Sequence, residues 1–258
     1  MTADRGARLT VASFVAGAPI PDGTPAVALG EDAAHHARVR RLAEGDPVTV
    51  RDGRGGVADG LVRRVARAAL DVDVTAVRRV TRPAPVHLLA PVGDRDRMLW
   101  LAEKAVELGV ASWRAVLWHR SRSVSPRGEG EAFAAKVRAR MAQALAQSEG
   151  AWLPDILPDA APDGAAAEAA GARLVLDADG ASFGVRPGEP APRAVTLALG
   201  PEGGLEPDEL GLLDAAGFRR VRLPGNILRF ETAGAVGVAF ARALLERGGA
   251  SAASADRR

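Results

Sequence analysis

With 258 residues, 47% of them hydrophobic and 26% charged, the chain can build one large or two modest domains with packed cores, which sets aside a disordered or fibrous polymer. A formal charge of +2 coexists with a sequence pI near 9.8 because Lys104 and Lys136 are the only lysines and Tyr and Cys are absent; with little to titrate between His and Arg, a small cationic excess persists to high pH. Without Cys there are no disulfides, thiolate nucleophiles or Cys-bearing zinc sites, and four His argue against a His-rich centre, so no metal is expected.

At the N-terminus, Arg5 and Arg8 precede a weakly apolar Leu9–Ile20 that loosely resembles a secretory leader. Ser13 and Gly17 interrupt it, and Val11–Val15 reads equally as a first strand; the strand and a cytoplasmic location are the expectation. No run approaches the roughly 18 apolar residues of a membrane span. From about 10 to 80 the pattern stays strand-like, with Val11–Val15, Ala26–Leu29, Pro47–Val50, Val57–Val65 and Ala69–Val77 punctuated by Gly30, Gly45 and Asp52-Gly53-Arg54-Gly55-Gly56. Asp-Gly between apolar runs favours a hairpin, and a small β-barrel is the natural closure.

Arg82-Pro83-Ala84-Pro85 breaks any regular element, since proline removes a backbone donor and biases its predecessor to extended geometry. A boundary there divides the chain into domains at 1–80 and 84–250. Beyond it the pattern predicts a strand at Val86–Ala90, a helix at Arg97–Leu108 stopped by Gly109, a strand at Ala115–Trp118 and a helix at Glu131–Gln147. Trp100 falls at core-compatible spacing on the first of these helices. A Pro-, Asp- and Ala-rich link at 154–172 leads to strands at Leu174–Leu176 and Val195–Leu199, a helix at Pro207–Ala216, a strand at Arg219–Leu223 and a helix at Glu231–Glu246. Strand and helix in alternation imply α/β with a largely parallel sheet.

Charge is unevenly spread. Residues 36–67 carry eight Arg against four acids, 111–150 seven basic residues against three, and 216–258 eight against three, whereas 151–215 hold three Arg against twelve acids. Basic segments around an acidic one suit a polyanion-facing side; chance clustering on a solvated surface is the alternative.

The most informative segment begins where Val195–Leu199 runs into Gly200-Pro201-Glu202-Gly203-Gly204-Leu205 and a helix opening at Pro207. Glycines let backbone approach a ligand, and proline suits a first helical turn. There is no Gly-Lys-Ser/Thr phosphate loop and no G-x-G-x-x-G, and a plain turn remains open until the next strand is read. That strand ends in Leu223-Pro224-Gly225-Asn226-Ile227-Leu228-Arg229-Phe230-Glu231-Thr232-Ala233, a second loop entering the final helix. Loops at the carboxyl ends of two strands can converge on one ligand.

These two loops closely resemble those of the bacterial 16S ribosomal RNA uracil-N3 methyltransferases of the SPOUT superfamily, where Gly-Pro-Glu-Gly-Gly and Ile-Leu-Arg-x-Glu-Thr-Ala form the adenosylmethionine pocket. Glu103-Lys104-Ala105-Val106-Glu107-Leu108-Gly109-Val110, Arg120 and Ser121 extend the resemblance, as do His36, Val39, Arg41, Gly45, Asp46, Asp52 and Gly53 in the N-terminal part. Two departures stand out: Ala146-Gln147-Ser148-Glu149-Gly150 where Glu-Gln-Ser-x-Arg is usual, and Arg40 where Leu is usual.

The resemblance implies a knotted SPOUT domain, with a deep trefoil knot and mostly parallel sheet, behind a PUA-like RNA-binding β-barrel, working as a homodimer with the cofactor site near the interface. S-adenosylmethionine would lie between apolar walls from Leu176, Leu199, Leu223, Ile227 and Leu228 and backbone groups near Gly200, Gly203, Gly204 and Gly225, with Glu202, Pro224, Thr232 and Ala233 adjoining. Arg229 is the candidate for holding an RNA phosphate or charge on a uracil oxygen, or else pairs structurally with Glu231 or Glu202. Glu202 braces its loop or accepts the N3 proton; Thr232 caps the last helix or touches the cofactor. RNA contacts are expected from His36, Arg38, Arg41, Arg120, Arg122 and Arg229, while His35 and His36 read as surface or RNA-contacting groups rather than acid–base catalysts. Ala233, Gly234, Ala235, Gly237 and Ala239 require close packing, against the knot or a partner subunit. The implied substrate is 16S rRNA in the small subunit; a related enzyme acting elsewhere, such as on ribose 2′-O, and a non-catalytic knotted assembly factor are the alternatives.

Overall fold

The computed structural model describes residues 10–121, 130–184, 189, 190 and 192–255, with side chains described as far as 246; Arg122 lies outside these residues. The chain forms two units, Met1–Arg82 with Leu145–Leu153, and Pro83–Ala144 with Pro154–Arg258.

In the first unit β1 (Ala12–Val15), β2 (Ala26–Leu29), β3 (Pro47–Arg51), β4 (Gly56–Val65) and β5 (Leu70–Arg79) form one sheet in the order β1-β3-β4-β5-β2. β1 runs parallel to β3 and the other pairs are antiparallel. Register shifts after Asp59 and Val62 accompany the curl of the long β4–β5 ribbon. No ladder joins β1 to β2 among the described residues, so the sheet is a curled half-barrel where a closed barrel was expected. Phe14, Ile20, Val48, Val50, Val62, Leu70 and Val72 fill its core. Between β2 and β3 lies a helix absent from the sequence reading, α1 (Glu31–Val39), which buries only Ala34 and Ala37.

The predicted Asp52–Gly56 turn forms as a hairpin stapled by a buried carboxylate. Asp52 Oδ1 accepts the backbone N–H groups of Arg54 (2.7 Å) and Gly56 (2.8 Å), and Oδ2 accepts that of Ile20 (3.1 Å). Gly53 and Gly55 have φ of +67° and +92°, and a Cβ on Gly55 would fall 2.5 Å from the Trp152 ring. Residues 145–153 dock on this hairpin: buried Arg51 donates to the carbonyls of Glu149 (2.8 Å) and Gly150 (3.0 Å), and Trp152 Nε1 to that of Val80 (2.9 Å). The segment that departs from Glu-Gln-Ser-x-Arg is therefore held here through its backbone.

The second unit contains β6 (Val86–Pro91), α2 (Arg95–Glu107), β7 (Ser112–Val116), most of α3 (Gly130–Gln147), β8 (Asp155–Ala160), α4 (Pro162–Ala167), β9 (Ala172–Ser182), β10 (Val195–Ala198), α5 (Pro207–Ala215), β11 (Arg219–Arg222) and α6 (Phe230–Ala255). All six strands are parallel, in the order β11-β9-β10-β6-β7-β8. The stretch read as a link thus holds an edge strand and a short helix. β7 starts three residues earlier than expected because Ser112 and Arg114 are buried yet satisfied, Ser112 by His87 (2.7 Å) and Arg114 by Glu168 (2.5 Å).

α2 buries Met98, Leu101, Ala102, Ala105 and Val106. Trp100, expected to pack inward, is 41% exposed and carries the Lys104 ammonium 5.6 Å from its ring centre. The small residues of α6 meet this unit's own core: a Cβ on Gly234 would lie 2.7 Å from Leu101 and 2.8 Å from Leu199, and one on Gly237 2.9 Å from Leu197 and 3.0 Å from Leu176. Close packing at these two glycines therefore comes from the leucines of α2 and of the neighbouring sheet strands.

Candidate active site

β10 delivers the chain into Gly200–Leu205, and α5 begins at Pro207. Gly204, at φ +75°, takes a left-handed conformation that disfavours a side chain. At Gly200 and Gly203 the space is taken by the protein itself, since added Cβ atoms would fall 3.1 Å from Leu205 and 3.0 Å from Arg120. The missing side chains at these two positions thus leave room for Leu205 and Arg120. Arg120 braces the loop, donating to Glu206 (2.5 Å) and to the Gly203 carbonyl (2.6 Å). Buried Glu209 accepts the backbone N–H groups of Glu206 and His119, each at 2.7 Å, joining the head of α5 to the segment after β7.

The second loop leaves β11 and reverses at Gly225, φ +99°. Its Ile227 is 92% exposed and Leu228 half-buried, and Phe230 closes the loop by burying its ring. α6 starts at Phe230, which puts Thr232 at its third residue. The capping role expected of Thr232 is thereby excluded, because an N-cap precedes the first helical residue.

A third element completes the site. The β9–β11 ladder jumps from the pair Val175/Arg220 to Ala181/Val221, so residues 176–180 leave the ladder and bulge out between the loops. Two cavities result, of about 750 and 600 Å³, which share Leu176, Asp177, Ala178, Ile227, Leu228 and Ala233. Leu223, Pro224 and Gly225 line the first, and Leu199, Gly200, Glu202, Gly204 and Arg229 the second. Of the expected cofactor residues, Gly203 and Thr232 line neither.

Charges around the second cavity are divided unequally. Arg97, in the first turn of α2, is ion-paired with Glu202, and its Nε lies 3.9 Å from Glu231. Arg229 is exposed and makes no side-chain hydrogen bond or ion pair among the described residues; the pairing with Glu202 or Glu231 considered for it belongs to Arg97. Arg220 lies 3.8 Å from Asp177 and also pairs with Asp214, whose carboxyl it holds below the usual carboxylate range. Arg97, Asp177, Asp179 and Arg220 are cavity residues that sequence reasoning missed, since no motif marks them and the bulge that presents 176–180 follows from sheet register.

In the first unit His36 stands edge-on to Phe14 with ring centres 5.7 Å apart. Burial, then Arg40 and His35, lower its pKa from the ordinary 6.5. Arg38 donates to the carbonyls of Ala66 (2.8 Å) and Arg67 (2.6 Å), tying α1 to the β4–β5 turn. Arg41, exposed, holds a left-handed φ of +57°. Among the described residues no group of three or more His, Cys, Asp or Glu gathers for a metal, and no helix is long and apolar enough to cross a membrane.

An RNA methyltransferase domain family matches residues 80–242, and an RNA methyltransferase PUA domain family matches 29–73. Ribosomal RNA small subunit methyltransferase E of Mycobacterium bovis is 31% identical over 249 residues, spanning 92% of this chain and 94% of that one. The protein of the same name from Synechocystis sp. is 30% identical over 215 residues, 81% of this chain and 70% of the relative. The fold is also that of a crystal structure of ribosomal RNA small subunit methyltransferase E from Neisseria gonorrhoeae bound to S-adenosyl methionine, with a TM-score of 0.80 and 23% identity over 90% of this chain and 97% of that one. Matched by a catalytic family domain over more than half its length and aligned with named relatives nearly end to end, the chain belongs to the RNA methyltransferase family of ribosomal RNA small subunit methyltransferase E.

Proposed function

We propose that this protein transfers the methyl group of S-adenosylmethionine to N3 of a specific uridine in 16S ribosomal RNA of the small subunit. The observation that carries the proposal is the meeting of two loops, Gly200–Leu205 and Leu223–Arg229, in cavities that share one wall. Their volumes fall within the roughly 300–1,000 Å³ of small-molecule sites, and leucine and isoleucine walls beside glycine backbone suit an adenosine and a methionine chain. The fit to the cofactor is therefore good, with Leu176, Leu199, Leu223, Ile227 and Leu228 as walls and Gly200, Gly204 and Gly225 as backbone contacts. When bound, the cofactor supplies a methyl group activated by a cationic sulfonium.

Uracil N3 carries a proton and is a poor nucleophile until it leaves, so the protein's part is to align the base and stabilise the developing anion. Arg229, cationic and without an ion pair among the described residues, is proposed to hold an RNA phosphate or a uracil oxygen. Glu202, paired with Arg97, braces the loop. His36, Arg38 and Arg41 in the first unit and Arg120 in the second are proposed to contact RNA; the guanidinium groups of Arg38 and Arg120 are exposed even while they brace their own elements. The same reading carries a trefoil knot in the second unit, a homodimer and a cytoplasmic location, all supported by the family resemblance.

Mass spectrometry of nucleosides from small-subunit RNA of a strain lacking the gene tests the target. Loss of N3-methyluridine, restored by the gene, is expected; an unchanged level contradicts the proposal, and loss of a ribose-methylated nucleoside instead points to another site on the RNA.

A further inference from the structure

Arg97 is the residue at which the two loops are joined electrostatically. Asp94 accepts its backbone N–H at 3.1 Å, which fixes the first turn of α2 and the origin of the side chain. The guanidinium then reaches Glu202 in the first loop and comes within 3.9 Å of Oε1 of Glu231 at the head of α6. Glu231 is 12% exposed, and its Oε2 is buried with no hydrogen-bond partner among the described residues, so this carboxylate keeps unused capacity to accept a cation. Arg97, Glu202 and Arg229 line one cavity, and Glu231 follows Arg229 by two residues. Two guanidinium groups and two carboxylates are thus gathered together, and Arg97 holds both acids while Arg229 holds neither.

We propose that Arg97 is a positioning residue that occupies Glu202 and Glu231 and so keeps Arg229 available to an anionic group of the RNA. The inference rests on the role of Arg229 in the proposed function. Without Arg97, two carboxylates beside the cavity gain an unpaired negative charge, and of the guanidinium groups lining that cavity Arg229 alone has no ion pair among the described residues. Capture of Arg229 would oblige the RNA to displace a formed ion pair. A cationic sulfonium, by contrast, gains from added negative charge. The signature is therefore a slower transfer with cofactor affinity unchanged or tighter, whereas simple loosening of the loops would weaken cofactor binding.

The test uses the full-length protein as wild type, Arg97→Gln, Arg97→Lys, Arg97→Gln/Glu202→Gln and Arg229→Ala. Calorimetry measures S-adenosylmethionine affinity, and single-turnover methylation of unmodified small subunits measures the rate. Arg97→Gln is expected to lose about tenfold or more in rate without loss of cofactor affinity. Adding Glu202→Gln should recover part of that rate by neutralising one released carboxylate. Arg97→Lys, which keeps a point charge but not the forked donor set, should fall between wild type and Arg97→Gln, and it preserves the comparison if Arg97→Gln folds poorly. A wild-type rate in Arg97→Gln alongside an inactive Arg229→Ala overturns the inference alone. So does a rate loss matched by weaker cofactor binding and not recovered in the double variant. Full activity in Arg229→Ala overturns the role of Arg229 and this inference with it.

Discussion

The surroundings of His36 lower its pKa. Half-buried on α1, it loses hydration, and Arg40 and His35 repel a proton further, so the folded protein holds its pKa below the 6.5 to which unfolding returns it. Between those two values the unfolded chain binds more protons than the folded one, so stability falls as pH falls through that window. Denaturant titrations at a series of pH values between about 7 and 5 should show this decline, and His36→Gln should flatten it; an equal slope in the variant would rule His36 out as its source. Residues with motif signatures were the ones the sequence made legible: Gly204 and Gly225 stand where the pattern demanded glycine and take positive φ. Arg97, Asp177 and Arg220 were not legible, because their importance comes from neighbours distant in sequence. The missing side chains of Gly200 and Gly203 also make room for Leu205 and Arg120, a packing requirement that the motif does not announce.

Among the elements, the helices of the second unit show how one residue type serves opposite ends. Gly234 of α6 lies against Leu101 and Leu199, both fully buried, whereas Gly211 of α5 is exposed with no atom within 4 Å of a built Cβ. Alanine gains about 1 kcal/mol of helix propensity over glycine at either position, but at Gly234 the added methyl enters a filled core at a cost of about 1–3 kcal/mol. Gly211→Ala should therefore raise Tm by about 2–4 °C and Gly234→Ala lower it by a similar amount, as thermal melts followed by circular dichroism would show. Equal shifts in the two variants would contradict the packing seen around α6. The same physics explains which elements were legible. Strands with large apolar residues, such as β6 and β10, were read at nearly their true bounds. α1 buries only alanines and leaves the rest of its length polar or partly exposed, so no stripe of large side chains betrayed it. β8 sits at the sheet edge, mostly solvated and containing Pro158, which an edge strand tolerates. β7 hid behind two buried polar residues whose partners, His87 and Glu168, lie on other elements.

At the scale of the whole molecule, the parallel α/β sheet and the curled β unit before it follow from periodicity and turn chemistry, but the assignment of residues 145–153 to the first unit does not. Nothing in the sequence between α3 and β8 announces that Arg51 will hold the carbonyls of Glu149 and Gly150. Function was legible where two short motifs carry it, and the cavities formed by their loops agree with that reading. The most direct test is to incubate the purified protein with S-adenosylmethionine and small ribosomal subunits lacking the modification, and then to analyse the 16S RNA nucleosides by mass spectrometry. The account predicts stoichiometric appearance of N3-methyluridine at one position, abolished when the cofactor is omitted. Absence of any new methylated uridine, with wild-type protein that binds the cofactor, would contradict it.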